Sequence, residues 1–383
     1  MTRTRRATVA MLLVGLAIFS SLYSTQAILP TLVHNMGLSS TEAAMTVSAA
    51  TGALALCVVP ASILSERFGR GRILLISAVA ATGVGLIVPL AQEGWQLIVV
   101  RGLQGALLSG APATAMAWLS EELDDKALPR AMGLYIAGTS VGGLTGRLIP
   151  TGLVEISTWR WALFGSALVS LAFAITSWLL LPTQRNFRPK SIHLKTESRA
   201  LLGHWANRDL ALLFLTAFLS MGTFVSMYNF LTFRLIDDFG LAPSLAGLAF
   251  LFYLTGTWCS ARAGSLVARI GHGKTLFASA VLFALGIAFC AGNLPLTLLG
   301  MIAFTVGFFA VHSTASGWVG QIATHDRAEA SSMYVFCYYF GSSVVGACAG
   351  LLFDALSWPL FIAFFTAVAL ALTALTWTKI KSD

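Results

Sequence analysis

Ser65–Ser77 reads SERFGRGRILLIS. Four charged side chains, Glu66, Arg67, Arg70 and Arg72, fall within its first eight residues, although the whole chain is 10% charged and 57% hydrophobic. Apolar runs of membrane-spanning length flank the stretch. About 20 residues at ~1.5 Å rise per residue cross a hydrocarbon core of ~30 Å. A charged knot between two such runs is a turn at a membrane surface.

The same alternation continues along all 383 residues. Twelve runs can be marked: 8–32, 41–64, 73–92, 95–119, 131–154, 159–181, 209–235, 243–263, 275–292, 294–319, 330–352 and 357–378. Backbone groups in lipid must be bonded within their own segment, so each run is expected to be a helix. The expected fold is therefore an all-α integral membrane protein of twelve transmembrane helices, with no room for a large extramembrane domain. The Arg-rich start followed by an apolar run is like a secretory signal, but with eleven further runs it is read as an uncleaved first helix.

A net charge of +8 on a soluble chain would suggest nucleic acid. Here twelve spans sort 20 of the 24 Lys and Arg onto the side that holds both termini, leaving Arg101, Arg147, Arg160 and Arg234. The positive-inside rule then places both termini in the cytoplasm and makes the lipid bilayer, not nucleic acid, the partner. The ten Trp fall near run ends, as interfacial belts require. The five Cys all lie within runs, without a C-x-x-C pair, and are read as apolar packing residues. No metal-ligand spacing, nucleotide-binding glycine loop or hydrolytic triad is apparent, so neither a cofactor, a metal nor enzymatic activity is expected.

The longest polar stretch, 182–208, divides the chain into 1–181 and 209–383, six runs each. It is basic and is read as a cytoplasmic linker, with a short amphipathic helix from Ser198 to Trp205. The halves repeat. ASILSERFGRGR (61–72) lies over AGSLVARIGHGK (263–274) at an offset of 202, and GLSSTEA (37–43) over GLAPSLA (240–246) at 203. The second register sets Gln26 over Asn229, and Gly105 meets Gly307 at the first. Internal repeats of this kind mark secondary transporters. Two pseudo-symmetric six-helix bundles are expected.

In the opening stretch, Gly69 and Gly71 would let the turn adopt positive φ, and the arginines would hold it on the cytoplasmic side. Glu66 could cap a helix or pair with a base that it releases in another conformation. The alternative is a topology signal and nothing more. The residues resemble a family here. Ser62–Arg72 is similar to the signature between the second and third helices of the major facilitator superfamily, Gly-x-Leu-Ala-Asp-Arg-x-Gly-Arg-Lys-Arg. Leu64, Arg67, Gly69, Arg70 and Arg72 match; Ser62 replaces the first Gly, Glu66 the Asp and Gly71 the Lys. VVRGLQG (99–105) resembles the fourth-helix motif through Arg101, Gln104 and Gly105. GTSVGGLTGRLIP (138–150) loosely resembles the Gly-rich fifth-helix motif of exporters, without its Gly-Pro pair. TGRLIP, HSTASGWVG (312–320) and YYFGSSVVG (338–346), with Tyr338, resemble the bacterial arabinose-efflux-permease and multidrug-exporter branch. The resemblance implies a substrate cavity between two rocking bundles. It makes Glu66, Arg67, Gly69, Arg70 and Arg72 a conformational latch.

Every acidic residue falls at a run end or in a loop, unlike exporters with a carboxylate in the first helix. Arg101 and Arg147 lie ~10 Å deep, where a charge must face protein or water. Each is a candidate for anion recognition or charge relay; the alternative is a structural arginine that bonds helix carbonyls and snorkels outward. His312 is a candidate proton carrier, with an unperturbed pKa near ~6.5, or else a neutral structural histidine; Arg101 and Glu66 are further coupling candidates. Tyr23 and Gln26 in the first run, and Tyr228 and Asn229 in the seventh, lie at equivalent depths. They are candidate cavity contacts, with Gln104 and Tyr338, or else interhelical hydrogen bonds. Gly138, Gly142 and Gly146 bare one face of the fifth helix. The resemblance turns that face toward the eighth helix of the other half as a rocking surface, and static packing is the alternative.

The expected function is a secondary transporter of the bacterial inner membrane, monomeric, exporting a small organic molecule by alternating access with proton antiport. The buried arginines favour an anionic or zwitterionic substrate. An importer of a sugar or organic anion shares the fold, and a non-transporting receptor or scaffold is the rival from another class.

Overall fold

A computed structural model of the chain describes residues 2–124, 126–187, 189 and 202–378. The chain divides into two compact units, Met1–Ile192 and His193–Asp383. The basic residues Arg188, Lys190, Lys195, Arg199, Lys379 and Lys381 lie outside the described residues, as do positions 198–201 of the expected amphipathic helix. In its described part Leu202 and Gly203 are helical and His204–Ala206 forms a 3₁₀ turn.

The first unit contains α1 (Arg3–Leu22), α2 (Leu29–Met36), α3 (Ser40–Phe68), α4 (Arg70–Gly85), α5 (Gly94–Leu108), α6 (Gly110–Glu122), α7 (Leu128–Val154) and α8 (Trp159–Leu180). The second contains α9 (Arg208–Phe233), α10 (Pro243–Leu248), α11 (Tyr253–Ile270), α12 (His272–Phe289), α13 (Leu294–Ile322), α14 (Arg327–Ala355) and α15 (Trp358–Trp377). Each of the twelve sequence runs is helical. Ten helical stretches among the described residues are long and apolar enough to cross a membrane. The two others are the fourth and fifth runs. The fourth is interrupted at Ser109 between α5 and α6. The fifth, α7, is diluted by glycines and by Arg130 and Arg147.

Local chemistry sets the helix ends. Ser39 and Glu42 form a reciprocal capping box at the start of α3. Asn207 and Asn293 accept backbone N–H bonds at the starts of α9 and α13. The turns α3–α4 and α11–α12 each pivot on one glycine in the left-handed half of φ space, Gly69 at +99° and Gly271 at +86°. Gly71 is different: it lies inside α4, and a Cβ there would meet the Trp118 indole nitrogen at 2.8 Å. Its glycine serves close packing, not the turn.

Packing corrects two further expectations. Gly138, Gly142 and Gly146 face α1 of their own unit. A Cβ at Gly142 would sit 2.7 Å from the Leu16 carbonyl, and Gly138 and Gly146 press equally close on Leu12 and Ser20. Static packing describes this face. In the second unit Gly341 of α14 meets Phe218 of α9, repeating Gly138 at an offset of 203. Gly105 and Gly307 do not repeat in contact: Gly105 faces Ala50 of α3, Gly307 faces Phe283 of α12. The tryptophan belts hold only in part. Trp95, Trp161, Trp178, Trp205, Trp258 and Trp377 are exposed, whereas Trp118, Trp159 and Trp318 are buried. The indole of Trp318 is stacked on His272. Trp118 fits inside because Gly71 opposite it leaves room for the indole.

Candidate functional site

The first membrane crossing is discontinuous. Helix α1 stops at Leu22, a 3₁₀ turn covers Gln26–Ile28, and α2 resumes at Leu29. Pro30 has no N–H and its ring crowds the carbonyl four residues earlier, so a continuous helix is disfavoured there. A break leaves carbonyls without helical donors, and in an apolar interior each needs a partner.

Arg101 supplies it. Its Nε donates to Thr46 O at 3.1 Å, its Nη1 to Ser21 O at 2.8 Å and Gln104 Oε1 at 2.5 Å, and its Nη2 to Leu22 O. Gln104 in turn donates to Ala81 O at 3.1 Å. The guanidinium is fully buried. It thus ties the end of α1 to α3, α4 and α5, the carbonyl-holding arrangement, but inside the unit and not snorkelling outward.

Arg147 reaches the same break from α7. Its Nε donates to Gln26 Oε1 at 2.8 Å and its Nη1 to Gly143 O at 2.6 Å. Its guanidinium lies 4.0 Å over the Tyr23 ring. All three side chains are buried. Sequence places Tyr23 and Gln26 on the first run and Arg147 on the fifth; the structure makes them one cluster. A buried, planar, multidentate cation on an aromatic face, at an unwound helix, is an arrangement able to receive a carboxylate or phosphate.

In the second unit Tyr228 and Asn229 are buried on α9. The Tyr228 hydroxyl bonds Thr305 at 2.8 Å, and its ring packs on Tyr253 at 4.7 Å. Rings continue from Tyr228 to Phe224 (5.1 Å), Phe308 (3.8 Å from Phe224), His312 (6.1 Å) and Tyr338 (4.6 Å). His312 Nδ1 also lies 3.1 Å from the Tyr334 hydroxyl. Tyr228, His312 and Tyr338 therefore belong to one aromatic column, well away in sequence from the arginine pair. Phe224, Phe308 and Tyr334 were missed by sequence reasoning, because one Phe among 25 or one Tyr among seven carries no signal.

The opening stretch forms its own network. Arg70 Nε bonds Glu121 at 2.6 Å and its Nη2 bonds Glu66 at 3.3 Å. Gln184 donates to Glu121 at 3.1 Å and accepts from the Gly71 amide at 3.1 Å. Arg67 lies over Phe68, and Arg72 is exposed. Glu121 and Gln184 were not singled out from sequence: they sit 51 and 114 residues beyond Arg70, and no local pattern joins them. Among the described residues no group of three or more His, Cys, Asp or Glu could hold a metal ion.

Comparisons with known proteins agree with this architecture. The profile described as Major Facilitator Superfamily matches residues 11–261 and 212–382. The chain is 36% identical to the inner membrane transport protein YnfM of Escherichia coli (strain K12), over 98% of this chain and 90% of that one. It is 34% identical to the uncharacterized MFS-type transporter YybF of Bacillus subtilis (strain 168), over 92% and 88%. Its fold is similar to the crystal structure of nucleoside transporter NupG (D323A mutant), with a TM-score of 0.83 at 13% identity, covering 98% of this chain and 99% of that one. With helical repeats, the charged turn on a positive-φ glycine, and these relatives together, the chain belongs to the Major Facilitator Superfamily: it is a multi-pass membrane transporter.

Proposed function

We propose that the protein exports a small organic anion across the bacterial inner membrane by alternating access coupled to proton antiport, with both termini in the cytoplasm. The observation that carries the substrate class is the Arg147–Gln26–Tyr23 cluster at the break of the first crossing. A guanidinium buried at that depth is costly unless hydrogen-bonded. An incoming carboxylate or phosphate can take over the Arg147 fork from the neutral Gln26, which makes anion binding an exchange of partners and not a new burial of charge.

Export is supported by the Gly-rich face of α7, which resembles the fifth-helix motif of exporters and packs backbone to backbone on α1. Coupling is assigned to His312, which titrates in the physiological range when unperturbed and faces the hydroxyl of Tyr334. The substrate contacts proposed are Tyr23, Gln26 and Arg147 of the first unit.

The test is flux in inverted membrane vesicles, with and without an imposed pH gradient, across a panel of organic acids, sugars and lipophilic cations. Accumulation of an organic acid driven by an acidic vesicle interior is the expected result. Accumulation of sugars alone, or uptake in right-side-out vesicles under the reverse gradient, would instead make the protein an importer.

A further inference from the structure

A small cavity lies inside the first unit, beside the arginine that holds the helix break. Its polar wall is Ser21, Ser24, Gln104, Ser166 and Ser170. Ser24 donates to Ser21 O at 3.1 Å and Ser170 to Ser166 O at 3.0 Å. Gln104 is engaged at both ends of its amide. Two hydroxyls remain. Ser21 Oγ and Ser166 Oγ are buried and have no hydrogen-bond partner among the described residues. A buried hydroxyl left unsatisfied is costly, so an occupant that hydrogen-bonds to both is expected.

The charge behind the wall says what that occupant is. Arg101 is fully buried, and its partners are three carbonyls, the Ser24 hydroxyl and the Gln104 amide oxygen, all of them neutral. Ion pairs with Arg101 are absent among the described residues. Three of the five polar residues of the cavity wall, Ser21, Ser24 and Gln104, are themselves its partners. A buried cation without a counter-charge is among the costlier features a protein interior can hold.

We propose that this cavity binds one small monovalent anion of the halide type, chloride in the cell, accepting from Ser21 and Ser166 and offsetting the Arg101 charge. The space admits about one water-sized occupant, which excludes a carboxylate. A metal cation would add a second positive charge beside Arg101. Water satisfies the hydroxyls but leaves the guanidinium uncompensated. The anion is structural, and its site is separate from the Arg147 cluster proposed for substrate.

The test uses the purified full-length chain. Thermal unfolding is followed at constant ionic strength while gluconate is replaced by chloride or bromide. A saturable rise of about 2–4 °C is expected for the wild type and its loss for the Ser21→Ala/Ser166→Ala variant, which retains Arg101 and its carbonyl partners. Crystals soaked in bromide should show an anomalous peak against Ser21 and Ser166. Equal melting in gluconate and halide overturns the proposal, as does a halide effect that the double variant keeps. A cavity holding water with no bromide peak overturns it too, and a peak without any thermal effect is an adventitious ion only. Should the double variant fail to fold, Ser166→Ala alone and the wild-type bromide experiment decide the question.

Discussion

Arg147 and Gln26, 121 residues apart, meet through a 2.8 Å hydrogen bond from Nε to Oε1 across the break in the first crossing. The bond joins α7 to a stretch that has no regular helix to hold it, and Tyr23 roofs the guanidinium at 4.0 Å. One planar cation thus sets the position of an unwound backbone segment and presents a donor fork at the same place.

Arg147→Lys keeps the charge but loses the bond geometry to Gln26 and the flat contact on Tyr23. Binding of an anionic substrate analogue is expected to weaken by about tenfold or more, which corresponds to one charge-assisted hydrogen bond of ~1.5–3 kcal/mol. A matched neutral analogue should be unaffected. Calorimetric binding in detergent measures both. Equal binding of the two analogues by wild type and variant alike would make Arg147 a purely structural residue.

At the turn between α3 and α4, Gly69→Val places a β-branched side chain at φ +99°. Strain of about 1–3 kcal/mol is expected there, enough to distort the adjoining Arg70–Glu66–Glu121 network. Flux should be abolished while membrane insertion survives, since the flanking apolar runs are untouched. A well-expressed variant with wild-type flux removes the latch role.

Gly142→Val and Gly133→Ala separate packing from glycine content. The first drives a side chain against the Leu16 carbonyl; the second points into open space. Gly142→Val should cost about 1–3 kcal/mol or more, seen as a lower melting temperature and poorer expression. Gly133→Ala, at an exposed helical position, should be neutral or stabilising by up to ~1 kcal/mol. Comparable losses in both would contradict the backbone-to-backbone packing of α7 on α1.

His312→Gln preserves a hydrogen-bonding group opposite Tyr334 and removes a titrating one. The pH dependence of flux between about pH 5 and pH 8 should flatten, with substrate binding retained. Proton release on substrate binding, measured with a pH indicator, should fall in step. An unchanged profile transfers the coupling role to another group, with Glu66 the next to test.

The membrane class, the helical runs and the charged turn were legible because they depend on local composition. Lipid accepts only helices that bond internally, and a glycine at a charged turn is needed whatever surrounds it. Partnerships were not legible. The same periodic glycines on α7 suit a sliding face or a fixed one, and nothing in 138–146 names Leu12, Leu16 and Ser20 as neighbours. Trp118 looks interfacial by its position near a run end, yet it is buried because Gly71 opposite leaves room for it.

By itself, the sequence determined that this chain lies in a bilayer as repeated helices and that Arg101 and Arg147 carry charge where charge is expensive. Hydropathy and charge are properties of residues, so they survive any arrangement of the helices. Only the tertiary structure decided what each arginine does: Arg101 closes the carbonyls at the end of α1, while Arg147 bridges Gly143, Gln26 and Tyr23. Hydrogen bonds act over about 3 Å, and contacts of that range between residues a hundred positions apart exist only once the helices have packed.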